Sequence, residues 1–236
     1  MTQLIVALDF NQEHAALDLV DKLDPQKCAV KIGKELFTLY GPSLVRKLVQ
    51  RQFKVFLDLK FHDIPHTVAN ACKAAADLGV WMLNVHAAGG QAMMETAFRV
   101  LSDCPAPHRP LLIAVTVLTS LRQQELNEIG INMPLSDYAL RLALLAQKSG
   151  LQGVVSSAYE VEKVKLHCGA NFLTVTPGIR FQDGPTHDQQ RIMTPVQAIK
   201  AGSDFLVVGR TITADKHPEH VVLSILKDIE KATSSS

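Results

Sequence analysis

Two carboxylates flank one lysine in the stretch from Asp58 to Asp63, which follows the apolar run Phe53–Leu57. Residues two apart in a strand share a face, so Asp58 and Lys60 are expected to point the same way, with the neighbouring leucines on the other side. Nearby carboxylates keep a lysine protonated. The stretch therefore predicts a fixed cation and a proton for chemistry that develops negative charge, and the alternative is a structural ion pair.

Other charged residues are expected at the ends of neighbouring strands. Lys31 lies between Val30 and Ile32 in a run that reads as buried, and a buried lysine requires partners. The carboxylates after the third strand could supply them. Asp9 ends the first apolar run and could either join this group or cap the following helix.

The end of the chain carries a candidate phosphate site. Gly209 and Arg210 follow an apolar run, where glycine lets backbone N–H groups approach an anion and arginine adds a bidentate charge. Arg180 and the polar segment that follows it, which contains Gln189 and Gln190, strengthen this hypothesis. The long connection from Gly178 to Met193 is predicted to be a lid.

Eight apolar runs that alternate with helix-length segments could position these residues. We predict strands at Leu4–Asp9, Cys28–Gly33, Phe53–Lys60, Trp81–His86, Leu111–Val117, Gly153–Ser156, Phe172–Thr176 and Phe205–Gly209. Strand-helix alternation, eight strands and 236 residues favour an α/β fold of the (β/α)8 TIM barrel type over a doubly wound sheet. We expect one domain over residues 1–232 and a disordered tail over 233–236.

Composition excludes several classes of function. The net charge of +1 without a charge run argues against nucleic acid and membrane surfaces. No G-x-G-x-x-G motif is present, so no dinucleotide site is predicted. The four cysteines are widely spaced, which favours reduced thiols in a cytoplasmic protein without a zinc site. Pro65 breaks the helical spacing of His62 and His66, so these two histidines are not expected to bind a metal.

With these residues in view, the chain resembles the orotidine 5'-phosphate decarboxylase family of bacterial type over nearly its full length. The resemblance rests on segments that occur in the family's order: Ala7–Asp9, Val30–Gly33, Asp58–Thr67, Val115–Ser120, Thr176–Arg180, Asp188-Gln189 and Val207–Arg210. It implies cofactor-free decarboxylation of orotidine 5'-phosphate to UMP in pyrimidine biosynthesis.

The resemblance also implies roles for individual residues. Lys60 would protonate C6 of the pyrimidine, Asp58 would lie beside the departing carboxylate, and Lys31 would complete the charge array. Asp63 and Thr67 would enter the neighbouring subunit's site, which implies a homodimer. The substrate would be bound at the ribose by Asp9 and Lys31, at the pyrimidine by Thr119, and elsewhere, chiefly at the phosphate and its lid, by Pro177, Arg180, Gln189, Gly209 and Arg210.

Two alternatives stay open at the level of sequence. A magnesium-dependent sugar-phosphate decarboxylase, similar to 3-keto-gulonate 6-phosphate decarboxylase, shares the Asp-x-Lys-x-x-Asp pattern but has a metal-binding glutamate where this chain has Lys31. A non-catalytic barrel that binds a phosphorylated metabolite would keep Arg180 and Arg210 but would not need the array of Asp58, Lys60 and Asp63.

Overall fold

Eight parallel strands close into a barrel in which each strand pairs with its neighbours in sequence and the first pairs with the last. The computed structural model describes residues 2–105, 109–180 and 193–234. The strands are β1 Gln3–Ala7, β2 Cys28–Gly33, β3 Val55–Phe61, β4 Met82–His86, β5 Leu111–Val115, β6 Gly153–Val155, β7 Leu173–Thr176 and β8 Phe205–Val208. The predicted TIM barrel is confirmed, and each observed strand overlaps a predicted one, with ends that differ by at most two residues.

Helices follow the strands and cover the outside of the barrel. They are α1 Glu13–Val20, α2 Lys34–Gln50, α3 Pro65–Ala76, α4 Gln91–Ser102, α5 Gln123–Glu128, α6 Leu135–Lys148, α7 Val161–Cys168, α8 Pro195–Lys200, α9 Arg210–Thr213 and α10 Pro218–Ser234. The last of these includes Thr233 and Ser234, the first two residues of the predicted tail, and residues 235 and 236 lie outside the described residues. None of the described helices is long and apolar enough to cross a bilayer.

The barrel interior is apolar at its N-terminal end and becomes polar toward its C-terminal end. Trp81 and Phe205 meet edge to face with ring centroids 5.3 Å apart at the N-terminal end. Above them lies a buried apolar layer: Ile5, Ala7, Ala29, Phe56, Met82, Ile113, Val175 and Val207. In a strand, side chains two residues apart share a face. The residues that lie two positions C-terminal to the members of this layer therefore also point into the barrel. The substrate site is therefore expected at the C-terminal end.

The opposite rim holds an ion pair that ties strands and helix together. Asp204 accepts hydrogen bonds from Lys165 Nζ at 2.7 Å and from the backbone N–H of Thr174 at 2.7 Å. Lys165 also donates to the carbonyl oxygen of Phe172 at 2.9 Å. This network joins α7, β7 and β8, which agrees with the structural role of the N-terminal rim in such barrels.

The predicted lid segment has its two ends side by side. Arg180 N–H donates to the Met193 carbonyl at 3.1 Å, and Met193 N–H donates to the Gly178 carbonyl at 3.3 Å. Beyond these ends, Thr194 caps α8, because its Oγ1 accepts from the backbone N–H of Gln197 at 3.3 Å. Residues 181–192, including Gln189 and Gln190, lie outside the described residues.

Candidate active site

A cavity opens at the C-terminal end of the barrel, lined by residues at or just after the ends of most of its strands. Apolar walls come from Phe56, Val115, Val155 and Val207, and polar groups converge between them. The cavity brings together nine of the predicted site residues: Asp9, Lys31, Asp58, Lys60, Thr119, Pro177, Arg180, Gly209 and Arg210. Apolar walls around a few convergent polar groups are typical of small-molecule sites.

Lys31 lies between two carboxylates inside the barrel. Its Nζ is 3.2 Å from Asp9 Oδ1 and 3.4 Å from Asp58 Oδ2. The lysine is buried, whereas the Asp9 side chain is about half exposed. Burial by itself lowers the pKa of Lys31, but the charges of Asp58 and Asp9 outweigh it and raise that pKa overall. Lys31 is therefore a permanent cation, as its partners require.

Lys60 completes the array from the other side of Asp58. Its Nζ donates to Asp58 Oδ1 at 2.7 Å, so each oxygen of this carboxylate faces one ammonium group. Burial raises the pKa of Asp58, yet the charges of Lys31 and Lys60 and the hydrogen bonds from Lys60 and Asn84 lower it overall. The ionised acid between two ammonium groups gives a fixed pattern of alternating charge.

The strand that carries the array is not regular. The register between β3 and β4 shifts between Leu57 and Phe61, and Lys60 has a φ of 54°. The regular alternation expected from the sequence therefore does not by itself place Lys60. A bulge turns its backbone, and its Nζ still lies 2.7 Å from Asp58 Oδ1.

Asn84 is a buried residue that the sequence analysis missed. Its amide Nδ2 donates to Asp58 Oδ1 at 2.7 Å, and its Oδ1 accepts from the backbone N–H of Lys60 at 2.8 Å. The signal was present in the sequence, since an asparagine in the middle of an apolar strand needs hydrogen-bond partners when it is buried.

Three of the predicted phosphate residues, Arg180, Gly209 and Arg210, lie around the ends of β7 and β8. Arg180 is buried, and its Nη1 donates to Thr211 Oγ1 at 3.4 Å, close to Arg210 in the first turn of α9. A Cβ at Gly209 would lie 3.3 Å from Asp9 Oδ2, so the glycine keeps the backbone clear at this rim. Two guanidinium groups beside the backbone of a glycine form a site that is suited to binding a dianion such as phosphate.

Asp63 and Thr67 do not line this cavity. Both side chains are exposed, at the start of α3 and just before it. Asp63 Oδ1 accepts from the N–H of Ile64 at 2.6 Å, and Ile64 itself is 67% exposed. The geometry of one chain thus leaves two predicted site residues on the surface, outside the cavity.

Among the described residues, no histidine or cysteine lines the cavity. Burial and the nearby cations lower the pKa of His86 to about 4, and its ring lies 5.4 Å from that of His62. Burial raises the pKa of Cys28 and Cys72 to about 12, which keeps both thiols protonated. The lowered pKa favours the neutral form of His86 near pH 7, and both cysteines are buried.

A group of three possible metal ligands occurs elsewhere in the described chain. His217, Glu219 and His220 lie close together around the start of α10, with both histidines exposed, and none of them lines the cavity. In the cavity, the carboxylates of Asp9 and Asp58 already face lysine ammonium groups.

Comparison with known proteins points to one family. Residues 2–225 match the profile of the orotidine 5'-phosphate decarboxylase / HUMPS family. A protein of Legionella pneumophila (strain Paris) named orotidine 5'-phosphate decarboxylase is 59% identical over 227 residues, which cover 96% of this chain and 99% of the relative. A relative of the same name from Actinobacillus pleuropneumoniae serotype 5b is 54% identical, with 96% of each chain covered.

A solved structure of the same family name has a similar fold. The crystal structure of orotidine 5'-phosphate decarboxylase from Lactobacillus acidophilus superposes with a TM-score of 0.87 at 41% identity, covering 97% of this chain and 99% of the other. The chain belongs to the orotidine 5'-phosphate decarboxylase / HUMPS family.

Proposed function

We propose that the protein decarboxylates orotidine 5'-phosphate to UMP in pyrimidine biosynthesis. The observation that carries this proposal is the array in which Asp58 lies between the ammonium groups of Lys31 and Lys60, at 3.4 and 2.7 Å. The relatives of more than half identity carry the same activity in their names. A purified sample should convert orotidine 5'-phosphate to UMP and CO2 in equal amounts, and a sample that releases no CO2 would refute the proposal.

The mechanism follows from the change in charge during the reaction. The bond between C6 and the carboxylate breaks, its electron pair stays on C6, and CO2 leaves. Lys60 stabilises the charge on C6 and then gives its proton to that carbon, which leaves a neutral amine that regains a proton from solvent. Because the charge reaches C6 only as the bond breaks, this contact favours the transition state over the ground state.

The other members of the array hold the substrate and raise its energy. Asp58 places a negative charge beside the substrate carboxylate, which destabilises the ground state, and Lys31 holds Asp58 in its ionised form. Asp9 and Lys31 contact the ribose hydroxyls and Thr119 contacts the pyrimidine. Substrate binding is completed, mainly at the phosphate and the lid above it, by Pro177, Arg180, Gln189, Gly209 and Arg210.

The protein works as a homodimer in this proposal. Asp63 and Thr67 are exposed beside the cavity, where a second subunit would bring them over the neighbouring site. The exposed Ile64 between them is an apolar group of the kind that an interface buries. A cytoplasmic location is part of the same proposal, because all four cysteines are free thiols.

The magnesium-dependent alternative is less compatible with the array. A divalent cation on Asp9 and Asp58 would have to displace Lys31 Nζ, which is 3.2 Å from the first and 3.4 Å from the second. Repulsion from a lysine whose pKa is raised opposes that exchange. The metabolite-binding alternative gives no reason for a lysine and an acid to be held at 2.7 Å in the cavity.

The proposed phosphate site makes a prediction for Arg210. Replacement of Arg210 by alanine should lower kcat/KM for orotidine 5'-phosphate by about 10- to 100-fold, because it removes a charge-assisted contact to the dianion. The same variant should lose less than about threefold on orotidine, which has no phosphate. Steady-state kinetics on both substrates measure the difference.

A matched control is Arg141→Ala, which removes an exposed arginine from α6 far along the chain from the site. This variant should behave as the wild type on both substrates. Equal losses on the nucleotide and the nucleoside in the Arg210 variant would show that Arg210 does not bind phosphate.

A further inference from the structure

Asn84 lies inside the barrel directly below the charged array. It follows Met82 by two positions on β4 and so points to the same inward face. Its side chain is fully buried and does not line the cavity. A substrate in the cavity would therefore touch Asp58 and Lys60 but not Asn84.

Each end of the Asn84 amide has one hydrogen-bond partner in the array. The Nδ2 donates to Asp58 Oδ1 at 2.7 Å, and the Oδ1 accepts from the backbone N–H of Lys60 at 2.8 Å. An amide cannot exchange these two roles without losing both bonds, because the carboxylate only accepts and the N–H only donates. The amide thus fixes the distance between the Asp58 carboxylate and the Lys60 backbone.

The bulge in β3 explains why this link is needed. Between the pairs Leu57 with Leu83 and Phe61 with Val85, three residues of β3 face the single residue Asn84 of β4. At Lys60 the backbone has a φ of 54°, a region that costs about 1–2 kcal/mol for residues other than glycine. The Asn84 oxygen binds the Lys60 N–H in this strained conformation.

We propose that Asn84 is a positioning residue that holds Asp58 and Lys60 in their reactive geometry. The inference rests on the decarboxylase function proposed above. Without the amide, the Lys60 backbone loses its hydrogen-bond partner and can relax toward a regular strand, which moves Nζ away from the position of C6. Asp58 would keep its two lysine partners but lose the donor that fixes the plane of its carboxylate.

The first test is Asn84→Ala. Its kcat should fall by about 10- to 100-fold, as expected for the loss of hydrogen bonds to a charged group, while KM changes by less than about threefold. In the background of Lys60→Ala, the same substitution should cost less than about threefold, because there is no lysine left to position. The proposal would be overturned if the kcat of Asn84→Ala stayed within about threefold of wild type. It would also be overturned if Asn84→Ala lowered the kcat of the Lys60→Ala protein by as large a factor as it lowers that of the wild type.

The second test, Asn84→Asp, keeps the size and the acceptor but replaces the donor by a carboxylate. Asp58 is then faced by Lys31 from β2, Lys60 from β3 and a like charge from β4, with His86 further along β4. Two carboxyl groups this close share a proton whose pKa is raised, and the protonated group donates as the amide did. The kcat of this variant should therefore rise, relative to wild type, as the pH is lowered. If the kcat of Asn84→Asp had the same pH dependence as that of the wild type, the positioning role of Asn84 would be contradicted.

A matched control is Thr174→Val, which also removes a buried hydrogen-bonding group from a barrel strand but one that bonds Asp204 at the opposite rim. The Thr174→Val substitution should lower the free energy of unfolding and leave kcat unchanged. If the alanine variant does not fold, the pH profile of the nearly isosteric aspartate variant decides. An inactive wild type would refute the function itself, whereas an active wild type with insensitive Asn84 variants would refute only the positioning role.

Discussion

Lys60→Ala is expected to lower kcat by at least about a thousandfold, since removal of a single preorganised donor from a reacting charge costs about 10²–10³ and this lysine also supplies the proton. A thousandfold loss corresponds to about 4 kcal/mol of transition-state stabilisation. The substitution leaves Arg180, Arg210 and the walls of the cavity in place, so the affinity for UMP should change much less than kcat. Single-turnover kinetics together with calorimetric UMP binding separate the two effects.

The control for this prediction is Lys148→Ala, which removes an exposed lysine at the end of α6. It should retain the kcat of the wild type. If Lys60→Ala instead keeps more than about a tenth of the wild-type kcat, a loss below about 1.4 kcal/mol, Lys60 is not the group that stabilises and protonates C6.

Mixed dimers should recover activity from two inactive parents. Asp63→Ala and Lys60→Ala proteins, unfolded and refolded together, form dimers in which one site has both wild-type groups and the other has neither. Random pairing makes about half of the dimers mixed, so up to about a quarter of all sites should be active. Activity assays on the refolded mixture, with the mixed species identified by mass, measure this recovery.

A matched pair of variants sharpens the test. Asp58 and Lys60 belong to the same chain's site, where their side chains are 2.7 Å apart. Mixed dimers of Asp58→Ala and Lys60→Ala therefore contain no intact site and should stay inactive. Absence of recovery in the Asp63 mixture as well would place Asp63 in its own subunit's site and remove the proposed reason for dimerisation.

The fold and most of the residues that line the cavity could be predicted from the sequence, and there is a physical reason for this. In a parallel barrel the carboxyl ends of all strands meet at one rim, so residues at the ends of the strands come together even when they are far apart in sequence. On this ground alone Lys31, Asp58 and Lys60 can be placed in one site, while the sequence is equally compatible with a helix-capping role for Asp9.

What the sequence did not predict depends on contacts between strands. The bulge at Lys60 and the role of Asn84 follow from the register of β3 against β4, which a pattern of apolar and polar residues does not specify at the end of a strand. Phe53 was predicted to begin the third strand, but its N–H donates to the carbonyl oxygen of Leu48 in the last turn of α2, and the strand begins at Val55. Local hydrogen bonds at a helix end decided that boundary.

The most direct test of the proposed chemistry is decarboxylation in the absence of divalent cations. We expect protein treated with EDTA and assayed in chelator-containing buffer to convert orotidine 5'-phosphate to UMP at the rate of untreated protein, because Lys31 and Lys60 already neutralise the carboxylates of the array. Added magnesium should not raise that rate, and 3-keto-gulonate 6-phosphate should not be a substrate. Loss of activity in EDTA that magnesium restores would contradict the account and favour the metal-dependent sugar-phosphate decarboxylase.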